Sequence, residues 1–239
     1  MGLKNFLTIY FYVDINEDMN KKDLPTEVYS LLRSRILNFS ILPGVKISDK
    51  DIAEELGISR TPVREALIRL AGHGLVQSMH NRGFSVREFT VKEVEDIYTL
   101  RNALELLAVK LAMKNLDKER IQVLQKLLDS YPDLIASGNR NEFNRADEDF
   151  HMLIAEFSEN RPLKSQLNSL HDQLGILRRY AHLLSDSWRV TYEGETYNQH
   201  LKIFKHMIDG ELSKAKQAMS RHIGASMNSV LAVLENDRS

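Results

Sequence analysis

The sequence predicts a mainly α protein in two parts. A small N-terminal unit of three helices and a hairpin precedes an all-α bundle of about six helices. Three observations carry this expectation. Apolar residues recur at three-to-four-residue spacing through most of the chain after Leu24. Between residues 48 and 70, two helical patterns meet at a tight glycine turn, Gly57. The strand-like stretches, Leu75–Met79 and Phe84–Phe89, flank His80-Asn81-Arg82-Gly83, and no convincing strand follows from Val91 onward.

Taken in order, Leu24 to Phe39 reads as an amphipathic helix (Val28, Leu31, Leu32, Ile36) stopped by Leu42-Pro43-Gly44. Ser48 offers an N-cap with Asp51 three residues on, opening a short helix through Ala53 and Leu56. The next helix starts near Pro62, whose fixed φ and missing N–H suit a first turn. Its apolar face is Val63, Ala66, Leu67 and Leu70, which leaves Arg60, Thr61 and Arg64 off that face. In a helix-turn-helix this end of the second helix meets base edges in the major groove. Arginine can grip guanine O6 and N7 with two hydrogen bonds, so the residue types suit DNA reading. A two-stranded hairpin with the basic tip His80–Gly83 completes a winged helix-turn-helix.

From Val91 the expected helices span roughly 91–115, 117–137, 139–158, 161–185, 190–209 and 211–236, with Pro132, Gly138, Pro162 and Gly210 marking turns or kinks. The domains expected are therefore 24–90 for DNA binding and 91–239 for the bundle. Residues 1–23 read as an N-terminal extension, disordered or the product of a start codon assigned too far upstream. Its apolar run, Phe6 to Val13, is too short for a signal peptide, and Asp14 ends it without a small-residue cleavage site.

Composition narrows the class. The net charge is −1 over 239 residues. Residues 24–91 hold nine Lys+Arg against seven Asp+Glu, and residues 92–239 hold 20 against 22. That is a weak asymmetry in the direction expected of a DNA-binding front end. With no cysteine there is no disulfide framework and no thiolate metal site, which fits a cytoplasmic protein. No stretch approaches the ~20 apolar residues of a membrane span.

Polar residues occupy seats in the bundle that should be apolar. Val94, Ile97, Arg101, Leu104, Ala108 and Leu111 form one stripe, with Arg101 inside it. A buried guanidinium needs an anion. Either Glu105, one turn on, supplies it, or the carboxylate of a bound ligand does. Asp147 interrupts a second stripe (Phe143, Phe150, Ile154, Phe157), and His151 lies one turn further on the same side. His200 shares a stripe with Tyr197, Phe204 and Met207, and His222 with Ala215, Ala218 and Ala225. Gly210 falls ten residues after His200 and twelve before His222. An antiparallel fold-back there puts both imidazoles roughly 15–18 Å from the turn. Asp147, His151, His200 and His222 then form a candidate site for Zn²⁺, or for Ni²⁺ or Mn²⁺. The competing expectation is four hydrogen-bonded core residues, the role given to His73, His171, His182 and His206.

These pieces together resemble the GntR family of bacterial winged-helix regulators, in the FadR-like branch with a C-terminal FCD domain. The resemblance covers about residues 24–236. It rests on Leu56-Gly57-Ile58-Ser59-Arg60-Thr61-Pro62-Val63-Arg64-Glu65-Ala66-Leu67, Gly74-Leu75-Val76 and Arg82-Gly83. In the bundle it rests on Arg101-x-x-Leu104-Glu105, Asp147-x-x-Phe150-His151, His200, and Ala215 to His222-Ile223. It implies a homodimer that binds a short inverted-repeat operator, with affinity altered by a small organic acid. By position, Lys50, Arg60, Thr61 and Arg64 would contact DNA, with His80, Asn81, Arg82 and Gly83 as the wing tip. Asp147, His151, His200 and His222 match the branch's metal ligands, and Arg101 matches an arginine facing the effector pocket. Arg178 and Arg179 lie where they could reach that pocket, but the motif around them is loose. A metal-dependent hydrolase in the bundle, and a regulator that senses the metal itself, are the alternatives.

Overall fold

The computed structural model describes residues 23–79, 83–184 and 189–236. The proposed extension, and His80, Asn81 and Arg82 of the wing tip, lie outside them.

The N-terminal unit is a winged helix. Helix α1 (Leu24–Leu37) has Pro25 in its first turn and buries Val28, Leu32 and Ile36 against α3. Helix α2 (Asp49–Leu56) is capped by Ser48, whose hydroxyl accepts from the Asp51 N–H at 3.2 Å. Gly57 ends it at φ +65°, a left-handed conformation that a side chain would strain. Helix α3 (Arg60–Gly72) buries Val63, Ala66, Leu67 and Leu70 completely, so the face read from the sequence is the one packed.

The sheet has three strands where a two-stranded hairpin was expected. Strand β1 (Lys46–Ile47) pairs antiparallel with β3 (Gly83–Val86), which pairs antiparallel with β2 (Val76–Met79), giving the order β1-β3-β2. Two residues are too few to show alternation in sequence, and β1 exists because β3 offers it a ladder. Val76 pairs with Val86 and Ser78 with Phe84.

The bundle comprises α4 (Val91–Ala112), α5 (Lys118–Asp129), α6 (Tyr131–Ser137), α7 (Arg140–Phe157), α8 (Arg161–Leu184), α9 (Arg189–Ile208) and α10 (Leu212–Asn236). The segment predicted as one helix over 117–137 is two. Ser130 separates them, and Pro132, in the first turn of α6, has no N–H to continue the ladder of α5. A capping box between Thr90 and Glu93 starts α4. Its buried face keeps Val94, Ile97, Arg101 and Ala108 of the expected stripe but adds Tyr98, Glu105, Val109 and Ala112, while Leu104 and Leu111 stand at its margin. That face packs against α10 and α7, and α9 returns antiparallel as α10 through Gly210. The winged helix meets the bundle where α1 touches α8. There Arg33 Nε donates to Asp172 Oδ2 at 2.8 Å and a second guanidinium nitrogen donates to Oδ1.

Candidate metal centre

Three helices bring the four predicted ligands to one point. Asp147 and His151 project from α7, His200 from α9 and His222 from α10, and all four are buried. One donor atom from each lies within 4.8 Å of every other. The Nε2 atoms of His151 and His222 are 3.1 Å apart, those of His200 and His222 3.3 Å, and His200 Nε2 stands 3.5 Å from Asp147 Oδ1.

The outer nitrogen of each ring decides what those short distances mean. His151 Nδ1 lies 2.8 Å from Glu105 Oε2, a carboxylate that can only accept. His222 Nδ1 lies 2.8 Å from Gln199 Oε1, also an acceptor. His200 Nδ1 is 3.1 Å from the Tyr131 hydroxyl, which donates its own proton to the Ala146 carbonyl at 2.9 Å and so accepts from the ring. Each imidazole therefore carries its proton on Nδ1, leaving three Nε2 lone pairs facing one another. Three lone pairs cannot hydrogen-bond among themselves, and a cation removes the conflict. Metal–nitrogen bonds of about 2.0–2.1 Å would set neighbouring donors about 3.0–3.4 Å apart. The donor set fits a transition metal, with the outer hydrogen bonds fixing ring orientation. Asp147 Oδ1 is buried with no hydrogen-bond partner among the described residues, which fits the fourth ligand.

Electrostatics agree. Burial holds His151 down to about 4 and His200 to about 3, and puts His222 well below its ordinary range, so all three are neutral at physiological pH. Burial alone would raise Asp147, but the Arg178 guanidinium outweighs it and keeps the carboxyl well below its usual range. Arg178 on α8 donates directly to Asp147 Oδ2.

Arg101, the predicted effector contact, has Glu105, one of the two partners that the sequence left open. Its Nε donates to Glu105 Oε1 at 3.0 Å, so the internal ion pair exists. Its two terminal nitrogens are buried and make no hydrogen bond among the described residues. A buried donor without a partner costs about 1–3 kcal/mol, more for a charged group. Glu105 sits between Arg101 and His151, with His171 Nε2 at 3.5 Å. Burial penalises its ionisation, but the neighbouring His151 and Arg101 hold its carboxyl well below the usual range.

The predicted DNA contacts lie together on the outer face of the winged helix. Lys50, Arg60, Thr61 and Arg64 are all exposed. Arg60 donates to both Asp49 oxygens at 2.8 and 3.0 Å, and Lys50 stands 3.6 Å from Glu54. Gly83 opens β3 at φ +84°.

Four participants escaped sequence reasoning as site residues. Tyr131 and Gln199 orient imidazoles, Arg178 holds Asp147, and His171, expected as a plain core residue, is buried beside Glu105. Only Arg178 had a sequence signal, the weak one noted above. Tyr131 follows the helix break, where periodicity gives no face.

Comparison with known proteins agrees with the architecture. Residues 24–86 match the family model "Bacterial regulatory proteins, gntR family", and residues 96–225 match the FCD domain. The HTH-type transcriptional regulator YdhC of Bacillus subtilis (strain 168) is 32% identical over 91% of this chain and 97% of its own length. The Nta operon transcriptional regulator of Aminobacter aminovorans is 29% identical over 83% of this chain and 90% of its own. The structure of McbR/YncC from E. coli superposes with a TM-score of 0.70 at 24% identity, covering 90% of this chain and 99% of the other. These relatives are transcriptional regulators and not enzymes, which removes the hydrolase alternative. The chain belongs to the GntR family of bacterial transcriptional regulators, with an FCD domain behind its helix-turn-helix.

Proposed function

We propose that this regulator is ligand-responsive and dimeric, binding an inverted-repeat operator with an affinity set by a small organic acid at a metal centre in the bundle. Residues 24–90 would form the DNA-binding unit and 91–239 the effector and dimerisation unit. The observation that carries this reading is the convergence of three Nε2 lone pairs and an unpartnered Asp147 oxygen inside the FCD domain. Zn²⁺ suits the donors best, with Ni²⁺ or Mn²⁺ as alternatives. Bound there, the metal would supply a Lewis-acidic position that attracts a carboxylate.

The residues around the site favour an anion. Arg101 and Arg178 balance Glu105 and Asp147, and the imidazoles are neutral, so a divalent cation would leave excess positive charge in a buried place. The terminal nitrogens of Arg101 offer a carboxylate two further donors in a fixed fork. Coupling to DNA has a direct route, because α8 carries both Arg178 and Asp172, the partner of Arg33 on α1. A ligand that prefers one placement of α8 would change the spacing of the two recognition helices in a dimer. Leu100 and Leu107, a heptad apart on α4, are 48% and 39% exposed and leave an apolar strip that a second copy would cover. Lys50, Arg60, Thr61, Arg64 and the wing tip would contact DNA.

The test is operator binding by the full chain, metal-loaded or metal-stripped, across a panel of small organic acids. A shift of tenfold or more that needs both metal and acid supports the reading. A shift with metal alone marks a metal sensor, and no shift in any arm refutes ligand control.

A further inference from the structure

Helix α3 carries an apolar residue that the fold does not use. Ile68 is 57% exposed, the most exposed large apolar side chain among the described residues. At a solvent-facing helix position it gains nothing from propensity, because β-branching restricts its rotamers and Ala, Leu, Lys or Glu each favour a helix more. Its place on the helix is opposite the core. Val63, Ala66, Leu67 and Leu70 form the buried face, and Ile68 lies with Thr61 and Arg64, seven and four residues back, on the outer face.

No described part of the chain closes over this spot. Gly72, one turn further along the same face, would meet no atom within 4 Å if it carried a Cβ. Arg69, the next residue, turns toward α1, where Nη1 donates to Thr26 Oγ1 at 3.1 Å and the guanidinium lies 4.5 Å from the centre of the Tyr29 ring. Beyond Arg64 the middle of the outer face therefore holds Glu65, Ile68 and Gly72, and no cation. This half of the helix is not built as a phosphate clamp. In the helix-turn-helix of a transcriptional regulator the occupant of that face is DNA. At 1.5 Å per residue Ile68 stands about 6 Å beyond Arg64, roughly two base-pair rises along the groove. Of the groups displayed in the major groove, only the thymine C5-methyl is apolar. An aliphatic side chain over another base edge would strip water from a donor or acceptor and leave it unpaired.

We propose, resting on the assignment of Arg60, Thr61 and Arg64 to DNA, that Ile68 is a specificity-determining residue: its side chain packs on the C5-methyl group of a thymine in each operator half-site and selects T there. The arginines read polar base edges near the start of α3, and Ile68 adds an apolar reading further along the same face. Its contribution is to sequence preference and not to the salt-dependent part of the affinity, because it neutralises no phosphate.

Replacing thymines one at a time by 2′-deoxyuridine, which lacks only the C5-methyl, tests it. The probe is a duplex selected from a random-sequence library by the metal-loaded full chain. At one thymine of each half-site the replacement should weaken wild-type binding about fourfold, the worth of one methyl group buried. Ile68→Ala should bind the thymine and deoxyuridine duplexes equally at that position, with an unchanged melting temperature and an unchanged slope of log affinity against log salt. A deoxyuridine series that is flat in the wild type overturns the proposal. So does a penalty that persists undiminished in Ile68→Ala. If Arg64→Ala still relaxes base preference in either case, the DNA-reading assignment of α3 stands and only the role of Ile68 falls. If Arg60→Ala, Arg64→Ala and Ile68→Ala all keep the wild-type preference, or the full chain enriches no duplex, both fall.

Discussion

Tyr131→Phe removes one oxygen behind the metal centre and replaces none of the four ligands. The hydroxyl holds His200 by accepting from Nδ1, because its own proton goes to the Ala146 carbonyl. Without it, a fully buried N–H loses its acceptor, a cost of about 1–3 kcal/mol. The imidazole can escape that cost by moving its proton to Nε2, which faces Asp147 Oδ1 at 3.5 Å. A metal must then displace a proton from the very nitrogen it needs. Loss of such an outer hydrogen bond weakens metal binding about 10–100-fold. Competition with a chelating indicator measures this directly, with the melting temperature of the metal-free protein as a folding control. An affinity within about threefold of wild type, in a folded variant, would refute the assignment of protons on which the metal reading stands.

Three other outcomes are expected. Arg60→Ala and Arg64→Ala should each weaken operator binding by about 1–3 kcal/mol and relax preference at one base position; unchanged sequence preference in a mobility-shift series would take them out of base contact. Arg101→Ala should abolish the response to organic acid while effector-free operator binding persists; loss of basal binding would instead mark the Arg101–Glu105 pair as structural. The metal-free protein should lose stability as pH falls below about 6.5, where unfolded histidine takes up a proton. His151 and His200 stay neutral in the folded state until about pH 4 and about pH 3, so the unfolded state binds more protons through that window. Each imidazole contributes up to about 1.4 kcal/mol per pH unit there and nothing above it. Urea unfolding between pH 7.5 and 5 checks this, and a flat profile would contradict the buried neutral assignment.

What the sequence made legible was periodicity and its violations. Val63, Ala66, Leu67 and Leu70 pack as their spacing implies, because a 3.6-residue period leaves one face for the core. Asp147 stood out for the same reason, being polar at an apolar seat. The heights of His200 and His222 followed from counting to Gly210. Local spacing could not reveal partners that arrive through tertiary packing. His171 looks like any polar residue on α8 until α4 brings Glu105 to it. Tyr131 gains its role because the chain breaks at Ser130 and redirects α6 toward α7. On α4 the expected stripe ran through Leu104, yet Glu105 is the buried residue, since its ion pair with Arg101 and the hydrogen bond from His151 Nδ1 offset the burial of a charge. Strand β1 is only two residues long and depends on β3.

The metal is the claim on which the rest of the functional reading hangs. Elemental analysis of full-length protein, reconstituted with Zn²⁺ and freed of excess by gel filtration, tests it most directly. About one metal per chain in the wild type, falling several-fold in folded His200→Ala, is the result expected. A wild-type chain that retains no Zn²⁺, Ni²⁺ or Mn²⁺, or a His200→Ala variant at full occupancy, would contradict it.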